Sequence, residues 1–138
     1  MTTTSDFLRS VPLFEGMTDR SIDAIARLTE DATFPAGAVL VEEGRPGDTF
    51  IVIVDGRATV DKGGARIREL AAGDFLGEIS LIDGGPRTAT VTAIEAIQAL
   101  VIRHDGFDRL MDEFPAVRLE ILTALTQRLR TRTPAISD

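Results

Sequence analysis

The chain has 138 residues, no cysteine, one histidine and a net charge of −7. One domain with one real core fits that length; disulfides and thiolate chemistry are excluded, and a zinc site would have only His104 and carboxylates to draw on. The negative charge disfavours nonspecific nucleic-acid binding, and with a single histidine most acid–base enzyme designs fall away.

Met1–Asp6 lacks the basic patch and apolar stretch of a signal peptide. No apolar run approaches the length needed to cross a bilayer, so no membrane partner is expected, and a cytoplasmic location fits the absence of cysteine. Fifteen basic residues include one lysine, Lys62; this arginine bias reads as GC-rich codon usage, pointing to a bacterial source.

Ser10 to Thr29 reads as helical. Thr18 is placed to cap a helix opening at Asp19, and Ile22, Ile25, Ala26 and Leu28 recur near helical spacing. From Ala32 the texture changes to short β-branched runs between glycines: 38–41, 49–55, 57–61, 65–70, 88–93 and 97–103. Such spacing predicts an all-β sandwich or barrel. Lys62-Gly63-Gly64 suits a hairpin turn. Gly37, Gly44, Gly47, Gly56 and Gly73 are read as corners or positive-φ positions.

From Gly106 the pattern is helical again. Phe107–Glu113 ends before Pro115, and Ala116–Arg130 follows with proline near its first turn. Val117, Leu119, Ile121, Leu122, Leu125 and Leu129 make a stripe wider than one core contact requires. Either a second subunit or effector covers the excess, or the first helix does. His104 reads as a capping or surface residue. Asp105, Asp108, Asp112 and Glu113 read as a solvated acidic face and not as metal ligands. Residues 131–138, broken by Pro134, read as a tail.

Residues 73–93 carry the chemistry. Glu78 follows a glycine and opens a short predicted helix; Arg87, nine positions on, follows Gly84-Gly85-Pro86 and leads into a strand. A carboxylate can accept from a ribose hydroxyl, and a guanidinium can grip a phosphodiester through two parallel hydrogen bonds. Backbone N–H groups at the helix start add donors for an anion. The pair is what a cyclic sugar phosphate needs. A phosphate ligand opposes the net charge at long range, so its recognition must be local.

This segment resembles the phosphate-binding cassette of cyclic nucleotide-binding domains. Upstream, Val11-Pro12-Leu13-Phe14, Pro35-Ala36-Gly37, Glu43-Gly44-Arg45-Pro46-Gly47-Asp48-Thr49-Phe50, Val54-Asp55-Gly56-Arg57-Ala58 and Ala72-Gly73-Asp74-Phe75 are similar to the family's segments in the same order. The resemblance covers about residues 7–130. It implies a mainly β fold with flanking helices: a β-roll, or double-stranded jelly-roll barrel, over 32–104, an N-terminal helical segment 1–31 and two C-terminal helices over 106–130, together a domain spanning 1–130.

The resemblance implies binding of a cyclic purine nucleotide, cAMP first and cGMP second, without a cofactor or metal. It matches Arg87 to the phosphate arginine and Glu78 to the ribose glutamate. Gly77 matches the glycine whose N–H meets the ribose. Ile79, Ser80 and Thr88 fall where backbone amides face the phosphate, and Ile67 and Arg68 where relatives line the base pocket. Leu81 matches the residue whose packing changes with ligand. A buried, unpaired arginine is costly, so the cassette is expected to be looser without ligand.

Pro134 stops the last helix early, which implies that the purine lid is missing, shortened or supplied by a partner chain. With no helix-turn-helix following, no nucleic-acid partner is expected, and a homodimer or protein effector would meet residues 116–130. The chain reads as a non-enzymatic sensor, with a ligand-free structural or interaction module as the alternative.

Overall fold

The computed structural model describes the backbone of residues 4–132 and the side chains of residues 4–127. The elements follow one another as α1 (Thr4–Arg9), a 3-10 turn (Pro12–Phe14), α2 (Asp19–Ala26), β1 (Thr29–Phe34), β2 (Val39–Val41), β3 (Thr49–Asp55), β4 (Ala58–Lys62), β5 (Ala65–Leu70), β6 (Phe75–Leu76), α3 (Glu78–Asp83), β7 (Thr90–Ala93), β8 (Ile97–Arg103), α4 (His104–Glu113) and α5 (Pro115–Arg132). The predicted strands 49–55, 65–70 and 97–103 stand at those bounds. Of the residues read as a tail, Thr131 and Arg132 continue α5, while 133–138 with Pro134 lie outside the described residues.

Two antiparallel four-stranded sheets form the roll, in the orders β1-β8-β3-β6 and β2-β7-β4-β5. Strands β3 and β8 are central in the first sheet and buried on both faces, so each reads as a nearly continuous apolar run. Alternate side chains point to opposite faces of a strand. Ile51, Ile53, Ile97 and Ala99 therefore join Val60, Leu70, Val91 and Ala93 in a core between the sheets. Phe50, Val52, Leu100 and Ile102 turn the other way and pack beneath the helices.

The helix-side core gathers Leu8, Val11, Leu13 and Phe14 from the N-terminal segment, Ile22 and Ile25 from α2, Phe107 and Leu110 from α4, and Val117 and Ile121 from α5. Phe50 sits between Phe75 and Phe107, with ring centroids 5.5 and 5.1 Å away. The N-terminal segment thus covers one side of α5, while Leu119 is 64% and Leu122 43% exposed.

The helix expected to open at Asp19 is the eight-residue α2, which Thr18 caps by accepting from Ser21 N–H at 3.1 Å. The rest of the stretch read as helical over 10–29 differs at both ends, with a 3-10 turn at Pro12–Phe14 before α2 and Thr29 in a strand after it. Thr29–Phe34 is an edge strand paired with β8. Its sequence, Thr-Glu-Asp-Ala-Thr-Phe, has one half-buried face and lacks the β-branched run that marked the other strands.

The joint between α4 and α5 has a local cause. The carbonyl of Met111 would normally accept from the N–H four residues on, but that residue is Pro115, which has none. The Arg118 guanidinium takes the position instead, with Nη1 2.7 Å from the Met111 oxygen. A cation at a helix C-terminus also suits the dipole.

A candidate phosphate and ribose site

Helix α3 is bounded by two glycines in the left-handed conformation, Gly77 at φ 96° and Gly84 at φ 74°. Gly84 closes the helix by donating to the Ser80 carbonyl at 3.0 Å. Gly77 is constrained twice: by its φ, and by space. A Cβ there would stand 2.5 Å from the Thr49 carbonyl oxygen and 2.7 Å from Arg87 Nη1. The helix start is thus pressed against the arginine that the sequence singled out.

Arg87 is 6% exposed. Its Nη2 donates to the Thr49 carbonyl at 2.9 Å and to the Thr49 hydroxyl at 3.0 Å, and Nη1 donates to the Gly77 carbonyl at 3.2 Å. Its backbone is clamped as well. Arg87 N–H donates to the Arg45 carbonyl at 2.8 Å, and its own carbonyl accepts from Gly44 N–H at 2.9 Å. Burial lowers the arginine pKa, and the negative charges of Asp48 and Glu78 oppose that shift. The guanidinium stays charged, as arginine does in proteins.

The cost of an unpaired buried cation does not arise here, because three protein acceptors hold Arg87. Gly47 differs from the other four glycines read as corners or positive-φ positions. The structure gives positive φ to Gly37, Gly44, Gly56 and Gly73, but not to Gly47. Gly47 is required by contact: a Cβ there would overlap Arg87 Nε and Cζ and lie 2.6 Å from Cδ.

Glu78 is 2% exposed at the first position of α3, and its charge acts on Arg87. Ser80 is buried at 3%, Leu81 points into the helix-side core, and Ile79 is half-buried. Thr88 lies in the bend between Arg87 and β7. The structure therefore gathers Gly77, Glu78 and Arg87 at one point, with Ile79, Ser80 and Thr88 adjoining in sequence. Ile67 and Arg68 stand apart on β5, the outer strand of the other sheet, where Ile67 is 37% exposed.

A cleft of about 410 Å³ lies beside the cassette, between the Gly44–Gly47 turn, Ser80, the Gly84–Pro86 turn and His104. His104 opens α4 with its imidazole half exposed, 3.7 Å from Asp108. Among the described residues, no three His, Cys, Asp or Glu side chains cluster as a metal site would require, and no helix is long and apolar enough to cross a membrane.

The sequence reading assigned no site role to Gly47, Asp48 or Thr49. Each adjoins Arg87 in space while lying about forty positions away in sequence, so no local spacing could have marked them. The model of the cyclic nucleotide-binding domain matches residues 31–114, which contain both the 44–49 turn and the cassette. The chain belongs to the cyclic nucleotide-binding domain family.

Other cyclic nucleotide-binding proteins resemble it over most of its length. A cyclic nucleotide-gated potassium channel of Rhizobium etli is 37% identical over 130 residues, which are 89% of this chain and 36% of the channel. The CRP-like cAMP-activated global transcriptional regulator of Mycobacterium tuberculosis is 27% identical over 138 residues, 96% of this chain and 62% of the regulator. The solved cAMP-bound PfPKA-R superposes with a TM-score of 0.83 at 26% identity, covering 96% of this chain and 45% of that one. This chain thus spans less than two thirds of each. Since one relative is a transcriptional regulator, the expectation that nucleic acid is no partner is not retained.

Proposed function

We propose that this cyclic nucleotide-binding domain is a sensor for a cyclic purine nucleotide, cAMP first and cGMP second, with residues 1–130 as the binding unit. The observation that carries the reading is the buried Arg87, held against Gly77 at the start of α3 beside the buried Glu78. Arg87 takes the phosphate, joined by the amides of Ile79, Ser80 and Thr88. Glu78 accepts from the ribose hydroxyl, and the Gly77 N–H meets the same sugar. Ile67 and Arg68 are assigned to the base; their place on an outer strand suits contact at the rim.

The response is a shift between two arrangements of the helices. The ligand draws the cassette inward, and Leu81, packed in the same core as Phe107 and Ile121, carries that movement to α4 and α5. The exposed Leu119 and Leu122 suit a homodimer or protein effector on α5. The role is binding and not catalysis, and incubation with cAMP should yield no AMP.

Calorimetric titration of nucleotide-stripped protein with cAMP and cGMP, with Arg87→Ala as control, tests the reading. Micromolar or tighter binding that the variant loses supports it, and the ratio of affinities names the ligand. No heat with either nucleotide, from a folded sample, rejects it in favour of an interaction module that has kept the fold without the ligand.

A further inference from the structure

Thr49 gives Arg87 two acceptors from a single residue, its carbonyl and its hydroxyl, at 2.9 and 3.0 Å from the same nitrogen. Any residue could supply the carbonyl; the hydroxyl belongs to this side chain. Thr49 opens β3, in register with Arg103 on β8, so its backbone is fixed by the sheet. A β-branched side chain has restricted χ1 freedom, which holds Oγ1 where the guanidinium meets it. The Gly77 carbonyl takes Nη1, and Gly47 lies against Nε and Cζ. The cation is thereby fixed in position and in plane.

A guanidinium has five N–H donors. Three hydrogen bonds to protein use at most three, leaving at least two for an anion. A free arginine side chain samples many rotamers, and fixing it before the ligand arrives removes the cost of ordering it from the binding step. We infer that Thr49 is a positioning residue for the phosphate arginine, acting through its hydroxyl to hold Arg87 ready for the ligand. The inference rests on the nucleotide-binding reading for its ligand, but the posture of Arg87 can be measured without one.

Thr49→Val keeps the shape and removes the hydroxyl, Thr49→Ser keeps the hydroxyl, and Thr49→Ala stands in should the valine variant not fold. In nucleotide-free protein, the Arg87 side-chain Nε–H resonance, assigned by its loss in Arg87→Lys, should show slow solvent exchange and hindered rotation about the Cζ–N bonds. Serine should preserve both properties; valine and alanine should lose them. In cAMP titrations, valine or alanine should weaken binding about 10-fold, the scale of one hydrogen bond to a charged group, and serine should restore most of it. An unchanged Arg87 resonance in the valine or alanine variant overturns the inference. So does unchanged or tighter nucleotide binding, the latter meaning that the hydroxyl competes with the phosphate. If wild-type protein binds neither nucleotide, the functional reading fails and the Arg87 resonance still decides the role of Thr49.

Discussion

The two faces of the β1-β8-β3-β6 sheet support cores of different construction. On one face, Ile51, Ile53, Ile97 and Ala99 meet Val60, Leu70, Val91 and Ala93, all strand residues held by backbone ladders. On the other, Phe50, Val52, Leu100 and Ile102 meet residues from the N-terminal segment, α2, α3, α4 and α5. The ladder fixes the first set of contacts. The helices of the second keep their hydrogen bonds internal and are located by side-chain packing and short connections. A core of that kind can rearrange with its secondary structure intact. Leu81 places the cassette helix in this second core, which joins the proposed ligand site to the helix-packed face of the sheet.

The sharpest break in the comparison would come from one truncation in each core. Phe107→Ala should cost about 3–5 kcal/mol and Ile53→Ala about 2–5 kcal/mol of unfolding free energy, measured by denaturant titration. Only the Phe107 variant should also change nucleotide affinity measurably. Equal effects on affinity would mean that the two faces are not mechanically distinct.

Next comes Arg87→Ala, which should lower nucleotide affinity by about 100-fold, corresponding to two hydrogen bonds from a charged group. Calorimetry reads this directly. Leu81→Ala should cost about 2–4 kcal/mol of stability and uncouple the two ends of the helix-side core. With nucleotide present, amide shifts in the cassette should persist while those in α4 and α5 shrink. Full transmission to α5 in this variant would assign the coupling to other residues.

Gly47→Ala should act on affinity more than on stability. Its backbone is not in the left-handed region, so alanine is tolerated conformationally, but the added methyl displaces the Arg87 guanidinium. We expect nucleotide binding weakened by about 10-fold or more, on the scale of one disturbed charged hydrogen bond, with a melting temperature close to wild type. The smallest effect should come from Arg118→Met, which leaves the Met111 carbonyl uncapped at the α4–α5 joint. A loss of about 1 kcal/mol is expected, read from thermal melts, with nucleotide affinity nearly unchanged.

Much of the local architecture was legible because it depends on neighbouring residues. The ends of β3 and β8 follow from β-branched runs, those of β5 from the glycine turns on either side of it, and α3 from the glycines that flank it. The carboxylate and guanidinium of the candidate site could be picked out because Glu78 and Arg87 stand close together in the chain with glycine and proline between them. Strand β1 was missed because an edge strand with one half-buried face needs little apolar residue. Strand β6 is two residues long and exists only because β3 pairs with it.

What the sequence by itself determined is the set of elements whose cause is local: strand periodicity, the Thr18 cap, the left-handed glycines around α3, and the Glu78 and Arg87 chemistry. The tertiary structure decided what depends on residues distant in the chain. Gly47 must be glycine because Arg87, forty positions on, occupies its Cβ space. Thr49 meets the same guanidinium because β3 starts beside α3. Periodicity and spacing report a residue's neighbours along the chain, whereas the roles of Gly47 and Thr49 are set by a side chain that only folding brings against them.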